Sequence, residues 1–459
     1  MKSYCREHVT VGIVGGGIAG LSLARMLEMS GISYCLWEAY SEFAPSVGAS
    51  LGLTPSGLRI LDQIGVFENI NRMTVPHQRW EHRDRDGNLH AEFTALRMSP
   101  ELLGYEAFFT ERQMVLQALY DSIEDKSRLV PNKRVVAVGQ TDEGATLVAH
   151  DGTKITCEIV AGADGVRSVI RHEILERERI PENPMLRFDA NYACVYGISN
   201  PVPNIEPGCN LFVYRAEASL IVFSGKGGVL YWFILKDLTQ NPIRYETPQT
   251  FSERDISTLY LTVADTTVTE GVKFAEIYKQ KRTAVMTALE EGVADSLFSG
   301  RLFVLGDSAH KMTPNGAMGA NQALESAVAF VNILRPLLRT VSENGPTGKI
   351  PSSEVTDCLR QYSDRRRGRV LDILNDASVG CQAQLKIGPI SDKIWQELSI
   401  MTDKDMLKRS LKSVRDAEML MDWPDGSHRV AIFTATAEEL KKASNRTQAV
   451  DQNAFKAAL

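Results

Sequence analysis

The sequence predicts an α/β protein: a doubly wound parallel-sheet unit, interleaved with an antiparallel sheet and followed by a helical region. Three observations predict it. Val11–Glu38 reads as strand, glycine turn, amphipathic helix and second strand. Apolar runs of the parallel-strand type recur at Ile159–Ala163 and Arg301–Leu305. Two-residue alternation takes over between Met185 and Leu235.

In the first stretch Gly15, Gly17 and Gly20 fit G-x-G-x-x-G. One glycine permits the turn, one lets backbone approach a pyrophosphate, and one seats the helix close to the strand. Bare N–H groups and the helix dipole would then hold the anion. Glu38, closing the second strand, stands where a carboxylate bonds a ribose hydroxyl. A dinucleotide is expected here, with FAD and NAD both open from this stretch alone.

The 459 residues suffice for two or three structural units with a large core. A hydrophobic fraction of 44% with 24% charged residues is ordinary for a globular chain, and a net charge of −6 gives no reason to expect nucleic acid. The seven cysteines are scattered without a C-x-x-C pair, which reads as reduced thiols in an intracellular compartment and no metal site. Arg6, Glu7 and His8 interrupt any apolar leader. The longest apolar helical stretch, Ala327–Leu338, is broken by Asn332, Arg335 and Pro336 and is too short to span a bilayer. A cytoplasmic protein is expected, with peripheral contact at an intracellular membrane and the oligomeric state left open.

After Glu38, small residues from Ser46 to Leu53 include Gly48, Ala49 and Gly52, which would let backbone lie against a flat ring or merely fill a turn. Thr54 as cap with Pro55 at the first helical position opens a helix over Leu58–Ile64. Trp80–Arg83 and Leu89–Phe93 flank an Asp-Gly turn as a hairpin. Thr110 with Gln113 reads as a capping box, which puts Arg112 in the first turn of a helix running through Tyr120. A cation there is disfavoured by roughly 0.3–1 kcal/mol unless an anion lies nearby. Hairpin pieces follow over Val135–Gly139, Thr146–Ala149 and Lys154–Glu158, and then the Ile159–Ala163 strand runs into Asp164-Gly165. A helix opened by Ser168 carries Arg171.

Met185–Leu235 reads as an antiparallel meander whose aromatics serve either the core or one face of an apolar cavity. Tyr192, Tyr196, Phe212, Tyr214, Phe223 and Trp232 are the candidate pocket residues. The Arg301–Leu305 strand leads into Gly306-Asp307-Ser308-Ala309-His310, then a small-residue loop from Pro314 through Gly319, Ala320 and Asn321, and a helix over Gln322–Leu338. That loop is a second site where bare N–H groups could meet an anion or a ring edge. His310 has no triad partner spacing and is read as structural. Ser342–Ser353 is a linker, Glu354–Val379 and Ile394–Leu420 are helical, and the tail from Ala437 is polar and expected to fray. Arg365, Arg366, Arg367 and Arg369 read as a solvated helix face, with contact to a cofactor phosphate as the alternative.

Three blocks thus stand in fixed order: G-x-G-x-x-G at Gly15–Gly20, D-G-x-x-S-x-x-R at Asp164–Arg171, and G-D-S-A-H…P-N-G-A-M-G-A-N at Gly306–Asn321. Together, over about the first 375 residues, they resemble the class A flavoprotein monooxygenases. The Gly48–Pro55 run, Thr110-Glu111-Arg112 and Pro314–Ala327 are similar, more narrowly, to fungal FAD-dependent epoxidases of indole-diterpene, meroterpenoid and prenylated-indole pathways.

The resemblance implies a Rossmann-type FAD-binding domain in three parts, 1–76, 108–180 and 276–341. A substrate domain would occupy 77–107 and 181–275, and a C-terminal helical region 342–459. It further implies that FAD is held without a covalent bond. Glu38 would meet the ribose, Gly52 and Arg112 the flavin side, Asp307 the ribityl chain or pyrophosphate, and Ala320 the isoalloxazine O2. Asp164, Gly165 and Arg171 would serve both FAD and a transient NADPH or NADH, and Gly306, Pro314, Gly319 and Asn321 complete the expected cofactor set. Tyr196 and Arg112 are the candidate catalytic residues. Relatives often carry a basic residue between the Tyr and Cys matching Tyr192 and Cys194; here it is Ala193, which leaves an acid-assisting arginine without a counterpart. Many relatives also end in an apolar anchor that Lys441–Leu459 does not match.

In such a family NAD(P)H reduces FAD, dioxygen adds to give a C4a-hydroperoxide, and one oxygen atom passes to a hydrophobic small molecule. The leading expectation is epoxidation of a carbon–carbon double bond in a prenylated indole or terpenoid. A phenolic ring hydroxylase is the alternative and would want a nearby base. A flavin halogenase or non-oxygenating reductase is the rival of another class, and the five tryptophans never form the Trp-x-Trp-x-Ile-Pro block that such halogenases show.

Overall fold

The apolar run His8–Val14 forms β1, buried along most of its length, and Gly15 breaks it with φ +103° before α1 (Ile18–Met29). The computed structural model describes residues 8–45, 50–179, 188–344, 349–423 and 427–457. Gly48, Ala49, Cys5 and the start of the expected meander at Met185 lie outside the described residues.

Along the chain there follow β2 (Tyr34–Trp37), β3 (Ser50–Leu53), α2 (Pro55–Gln63), β4 (Arg79–Arg83), β5 (Leu89–Phe93) and β6 (Phe108–Glu111). Next come α3 (Arg112–Ser122), β7 (Leu129–Val130), β8 (Val135–Thr141), β9 (Gly144–Ala149), β10 (Lys154–Gly162) and α4 (Val169–Glu178). Then β11 (Tyr192–Ser199), β12 (Cys209–Val213), β13 (Ala218–Ser224), β14 (Leu230–Asp237), β15 (Lys281–Leu289), β16 (Phe298–Ser299) and β17 (Leu302–Val304). The chain closes on α5 (Gly319–Asn344), α6 (Ser352–Gln384), α7 (Gly388–Ile400), α8 (Asp403–Arg415) and α9 (His428–Ala457).

The first sheet has the order β16-β17-β10-β1-β2-β7, parallel from β17 to β7, with the β8–β9 hairpin joined to β10. Parallel strands need cover on both faces, which explains why Val160, Ala161, Leu302 and Phe303 are fully buried. The carboxyl ends of β1, β10 and β17 therefore open together, and the turns after Val14, Gly162 and Val304 meet there.

The second sheet has the order β15-β11-β14-β13-β12-β4-β5. It departs from a simple meander in two ways: β11 lies beyond β14 instead of beside β12, and β4 runs parallel to β12. It also takes in β15, so this sheet extends past the expected boundary at 275. A polar start, Lys281-Arg282-Thr283, disguises that edge strand. One face of the sheet packs on Phe274 and Ile277, and the other packs on Phe109 of β6 and on the C-terminal helices through Cys381, Leu385 and Leu398.

Other expectations need correcting. Thr110 caps nothing, because it pairs with Leu51 inside the β3–β6 ladder; its hydroxyl points to Met114 Sδ, and Gln113 donates to the Ala44 carbonyl. Ile394–Leu420 is two helices, split where Thr402 and Asp405 form a capping box. Part of the expected linker is the end of α5, and the tail expected to fray is α9. Cys35 is disulfide-bonded, against the reading of thiols throughout; the other five described cysteines are free and buried. Among the described residues no helix is long and apolar enough to cross a membrane.

Candidate active site

Gly17 caps α1 with no side-chain hydrogen bond, so the first N–H groups of that helix are left bare where Gly17, Ile18 and Ala19 line a cavity. A Cβ on Gly15 would sit 2.3 Å from the Ala163 carbonyl oxygen, and one on Gly20 would sit 1.9 Å from the Gly15 carbonyl oxygen. A Cβ on Gly17 meets only Arg112 Nη2, at 3.8 Å. The first and third glycines therefore serve close packing, and the second keeps space open.

Two cavities meet at Gly17, Arg112, Ala163 and Gly165, one of about 350 Å³ and one of about 500 Å³. Arg112 makes no ion pair or hydrogen bond among the described residues, although it heads α3, where the dipole opposes a cation. In the larger cavity Glu38 accepts from the N–H groups of Gly16 (2.5 Å) and Tyr40 (2.9 Å), which aims its carboxylate along the wall. Asp164 lines this cavity too. It accepts from Ser168 Oγ (2.6 Å) and the Val169 N–H (2.8 Å), so much of its capacity goes to anchoring α4. Burial raises the Asp164 carboxyl, against these hydrogen bonds. Gly165, at φ +78°, donates to Ser308 Oγ.

Arg171 lines neither cavity. It is buried and donates to the carbonyls of Ser308 and Val166 and to the Tyr245 hydroxyl, which fits a residue that holds the two loops together. Gly306, at φ +63°, lies against Ala19.

The opposite wall of the smaller cavity carries Asp307, Lys311, Pro314, Gly319 and Ala320. Lys311 Nζ donates to Asp307 Oδ2 at 2.6 Å. Burial is the largest single influence and would raise the Asp307 carboxyl, but the Lys311 charge and hydrogen bond, with help from Arg112, together hold the group below the usual carboxylate range; Asp307 in turn raises Lys311. Asn321 is not on the wall. Fully buried, it donates to the carbonyls of Ala317 (2.6 Å) and Gly52 (3.1 Å) and accepts from the Thr54 N–H, tying the small-residue loop to β3. A Cβ on Gly52 would strike both Phe109 and Ala317 at 2.7 Å.

The second sheet closes the cavity with Cys194, Tyr196, Phe233 and Leu289, beside Phe109 of β6. Burial raises the Tyr196 phenol, with Arg112 and Lys311 pulling the other way. Of the six expected pocket residues only Tyr196 lines the cavity. Tyr192, Phe212, Tyr214 and Phe223 share its face of the sheet but lie behind the wall. Trp232 is on the wrong face: it packs edge-on against Phe274 at 5.3 Å and donates to Ser199 Oγ, because side chains alternate and its neighbour Phe233 takes the cavity side. Phe109, Cys194, Phe233, Leu289 and Lys311 were absent from the expected set. Strand parity relative to Tyr196 would have found Cys194.

The arginine run is not one solvated face: Arg365 is exposed, Arg366 is buried, Arg367 and Arg369 lie between, and none of the four lines either cavity. Arg366 is fully buried and donates to Gln322 (2.6 Å), Glu325 (3.2 Å) and Ser326 (3.2 Å), while Arg369 clamps the same Glu325. Arg365 pairs with Glu418, and Arg367 donates to backbone carbonyls of Ala294 and Asp295. His310 is buried with Nε2 on Ser326 Oγ at 3.1 Å, and burial pushes it down to about 4.

The joined cavities suit an elongated dinucleotide with a flat ring. Bare helix N–H groups and the unpaired Arg112 stand at the junction where a pyrophosphate would lie, a carboxylate stands at the far end, and the apolar end has room only because Gly52 lacks a side chain. Residues 8–345 match the family described as FAD binding domain. The FAD-dependent monooxygenase ausM of Penicillium brasilianum is 33% identical over 418 residues, covering 90% of this chain and 87% of its own. The FAD-dependent monooxygenase atmM of Aspergillus flavus is 35% identical over 380 residues, covering 81% and 78%. Among solved structures, HpxO of Klebsiella pneumoniae, complexed with FAD and uric acid, gives a TM-score of 0.72 at 22% identity over 89% of this chain and 97% of its own. The p-nitrophenol 4-monooxygenase PnpA of Pseudomonas putida gives 0.71 at 18% identity over 90% and 99%. Those likenesses speak to the fold, and the matched family and fungal relatives speak to the chemistry: this chain belongs to the FAD binding domain family and is an FAD-dependent monooxygenase.

Proposed function

We infer that the enzyme epoxidises a carbon–carbon double bond of a prenylated indole or terpenoid, with NADPH or NADH as the reductant. The observation that carries this reading is the makeup of the sheet-side wall. Phe109, Phe233, Leu289 and Cys194 face the cavity there, and Tyr196 is the one polar side chain among them. Such a surface suits a greasy alkene, which needs orientation and dryness more than acid–base help.

Bound FAD supplies the redox and oxygen chemistry. Glu38, the α1 N-terminus and Arg112 would hold its adenosine and pyrophosphate, Asp307 its ribityl hydroxyls, and the Pro314–Ala320 loop its ring edge. The chain's remaining task is to exclude water and fix the alkene over the ring. Tyr196, which lines the same cavity as Arg112 and Lys311, would be the proton donor.

Steady-state NADPH oxidation with prenylated indoles and terpenoid alkenes, with mass spectrometry for one added oxygen, tests the reading. Oxidation that yields only peroxide with every such substrate sinks it. A ring hydroxylase is the second reading, supported by the two cations that oppose burial at the Tyr196 phenol and would favour a neighbouring phenolate. Ring-hydroxylated products from simple phenols would favour it.

A further inference from the structure

At about 350 Å³ the apolar cavity lies near the bottom of the roughly 300–1,000 Å³ range of ligand pockets, and a flavin ring must share it. Room for an elongated substrate has to come from the sheet side. There the Phe109 ring is stacked on Phe223, with centroids 3.8 Å apart and planes within 7°. Behind that pair the cavity face continues as an unbroken aromatic cluster. Phe212 meets Phe223 edge-on at 5.8 Å, Trp80 lies 5.3 Å from Phe212, and His82 stacks on Phe212 at 4.9 Å.

Two polar atoms in that cluster are buried with no hydrogen-bond partner among the described residues: Trp80 Nε1 and His82 Nε2. Both come from β4, two residues apart and so on one face. The other His82 nitrogen is 3.0 Å from the Tyr214 hydroxyl, and the residue is only 5% exposed. Burial keeps the imidazole neutral, so it can donate or accept. Trp80 N–H can only donate. Unpaired buried polar groups are costly, and two on one strand face inside an aromatic cluster that adjoins the cavity wall are groups that an incoming oxygen could pair.

We propose that Trp80 and His82 form the far subsite for the substrate, reached when the Phe109 ring swings off Phe223, and that they hold a hydroxyl or carbonyl oxygen at the end of the molecule remote from the reacting double bond. The apolar body of the substrate, a class that rests on the epoxidase reading, would lie against Phe212 and Phe223. Trp80 and His82 thereby set which molecules are accepted and at what distance from the polar end the alkene is placed.

The test uses the FAD-loaded enzyme and two probes, 3-alkenylindoles identical except that the chain ends in a hydroxyl or a methyl group. Binding is read from the perturbation of the visible flavin absorbance on titration. The wild type should bind the hydroxyl probe about tenfold more tightly. His82→Phe and Trp80→Phe should each remove most of that preference while retaining bound flavin, and Phe109→Ala should speed the binding of both probes. Equal affinities in the wild type overturn the proposal. So does a preference that survives in both β4 variants, the result expected if ordered water alone pairs the two nitrogens. If either phenylalanine variant fails to fold, His82→Gln should keep part of the preference, and no change there counts against the subsite. Product analysis separates the two claims: discrimination without oxygen transfer defeats the epoxidase reading alone, and oxygen transfer without discrimination defeats the subsite alone.

Discussion

Lys311 Nζ lies 2.6 Å from Asp307 Oδ2 on the wall of the smaller cavity, so the carboxylate expected to meet the ribityl chain is already paired with a cation that the protein itself supplies. Asp307 is held below the usual carboxylate range, so its charge contributes above the unfolded value near 3.9 and is lost only as pH falls through the lower folded value. Lys311 is raised, so its charge contributes below an unfolded value near 10.4 and is lost as pH rises through the higher folded one. FAD retention in the wild type should therefore be flat from about pH 5 to about pH 9. In Lys311→Met the effect of burial on Asp307 loses its main opponent, the carboxyl rises, and FAD affinity should begin to fall at a higher pH than in the wild type as the solution is acidified. Fluorescence of released FAD across a pH series checks this, and a profile as flat as the wild type's would remove Lys311 from the account.

Gly17 and Gly20 should fail differently. Alanine at position 20 drives a methyl group into the Gly15 carbonyl, so α1 must move off β1; a loss of about 3 kcal/mol or more and a colourless protein are expected. Alanine at position 17 meets nothing within 3.8 Å but intrudes on both cavities. Its fold should stand while FAD affinity drops roughly tenfold, about 1.4 kcal/mol. Denaturant unfolding of the apoprotein beside FAD titration separates the two, and equal stability losses in both variants would contradict the assignment.

That contrast shows what a sequence can carry. The turn from β1 into α1 is local: strand, glycines, helix and acid occur within one short stretch, so the G-x-G-x-x-G turn and its close packing were legible. The cavity wall was less so. Alternation along β14 says that Trp232 and Phe233 face opposite ways, but only the packing of Phe274 and Ile277 on one side decides which looks into the cavity. Thr110 had the chemistry of a cap, and a ladder with β3, distant in sequence, claimed it instead. The arginine run reads as a wet helix face until α5 brings Gln322, Glu325 and Ser326 against it.

Trp232 gives a direct test of that parity. Trp232→Phe loses the hydrogen bond to Ser199 and some packing beside Phe274, a cost of about 1–3 kcal/mol, yet it faces away from the cavity. Thermal stability should drop while kcat and KM stay at wild-type values. Tyr196→Phe should do the opposite, lowering the ratio of oxygenated product to NADPH consumed at unchanged melting temperature. A coupling defect in the Trp232 variant would put the wrong face toward the flavin.

Glu325 supplies the last prediction. Its carboxylate has no exposure, and burial alone would raise it, but Arg369 and Arg366 reverse that and hold it below the usual range. Arg366→Met leaves Glu325 clamped by Arg369 but strips it of its second cation and takes the donor from Gln322 and Ser326, so it should cost about 3 kcal/mol. Arg360→Ala on the same helix breaks only an exposed pair with Asp357 and should stay within about 0.5 kcal/mol. The wild type's advantage depends on an ionised Glu325, so it should persist at neutral pH and shrink as pH falls below about 4, through the lowered folded value. Denaturant midpoints for both variants at pH 7 and in acid check the sign, and a gap that widens on acidification would show that Arg366 stabilises the helix pair through something other than its charge.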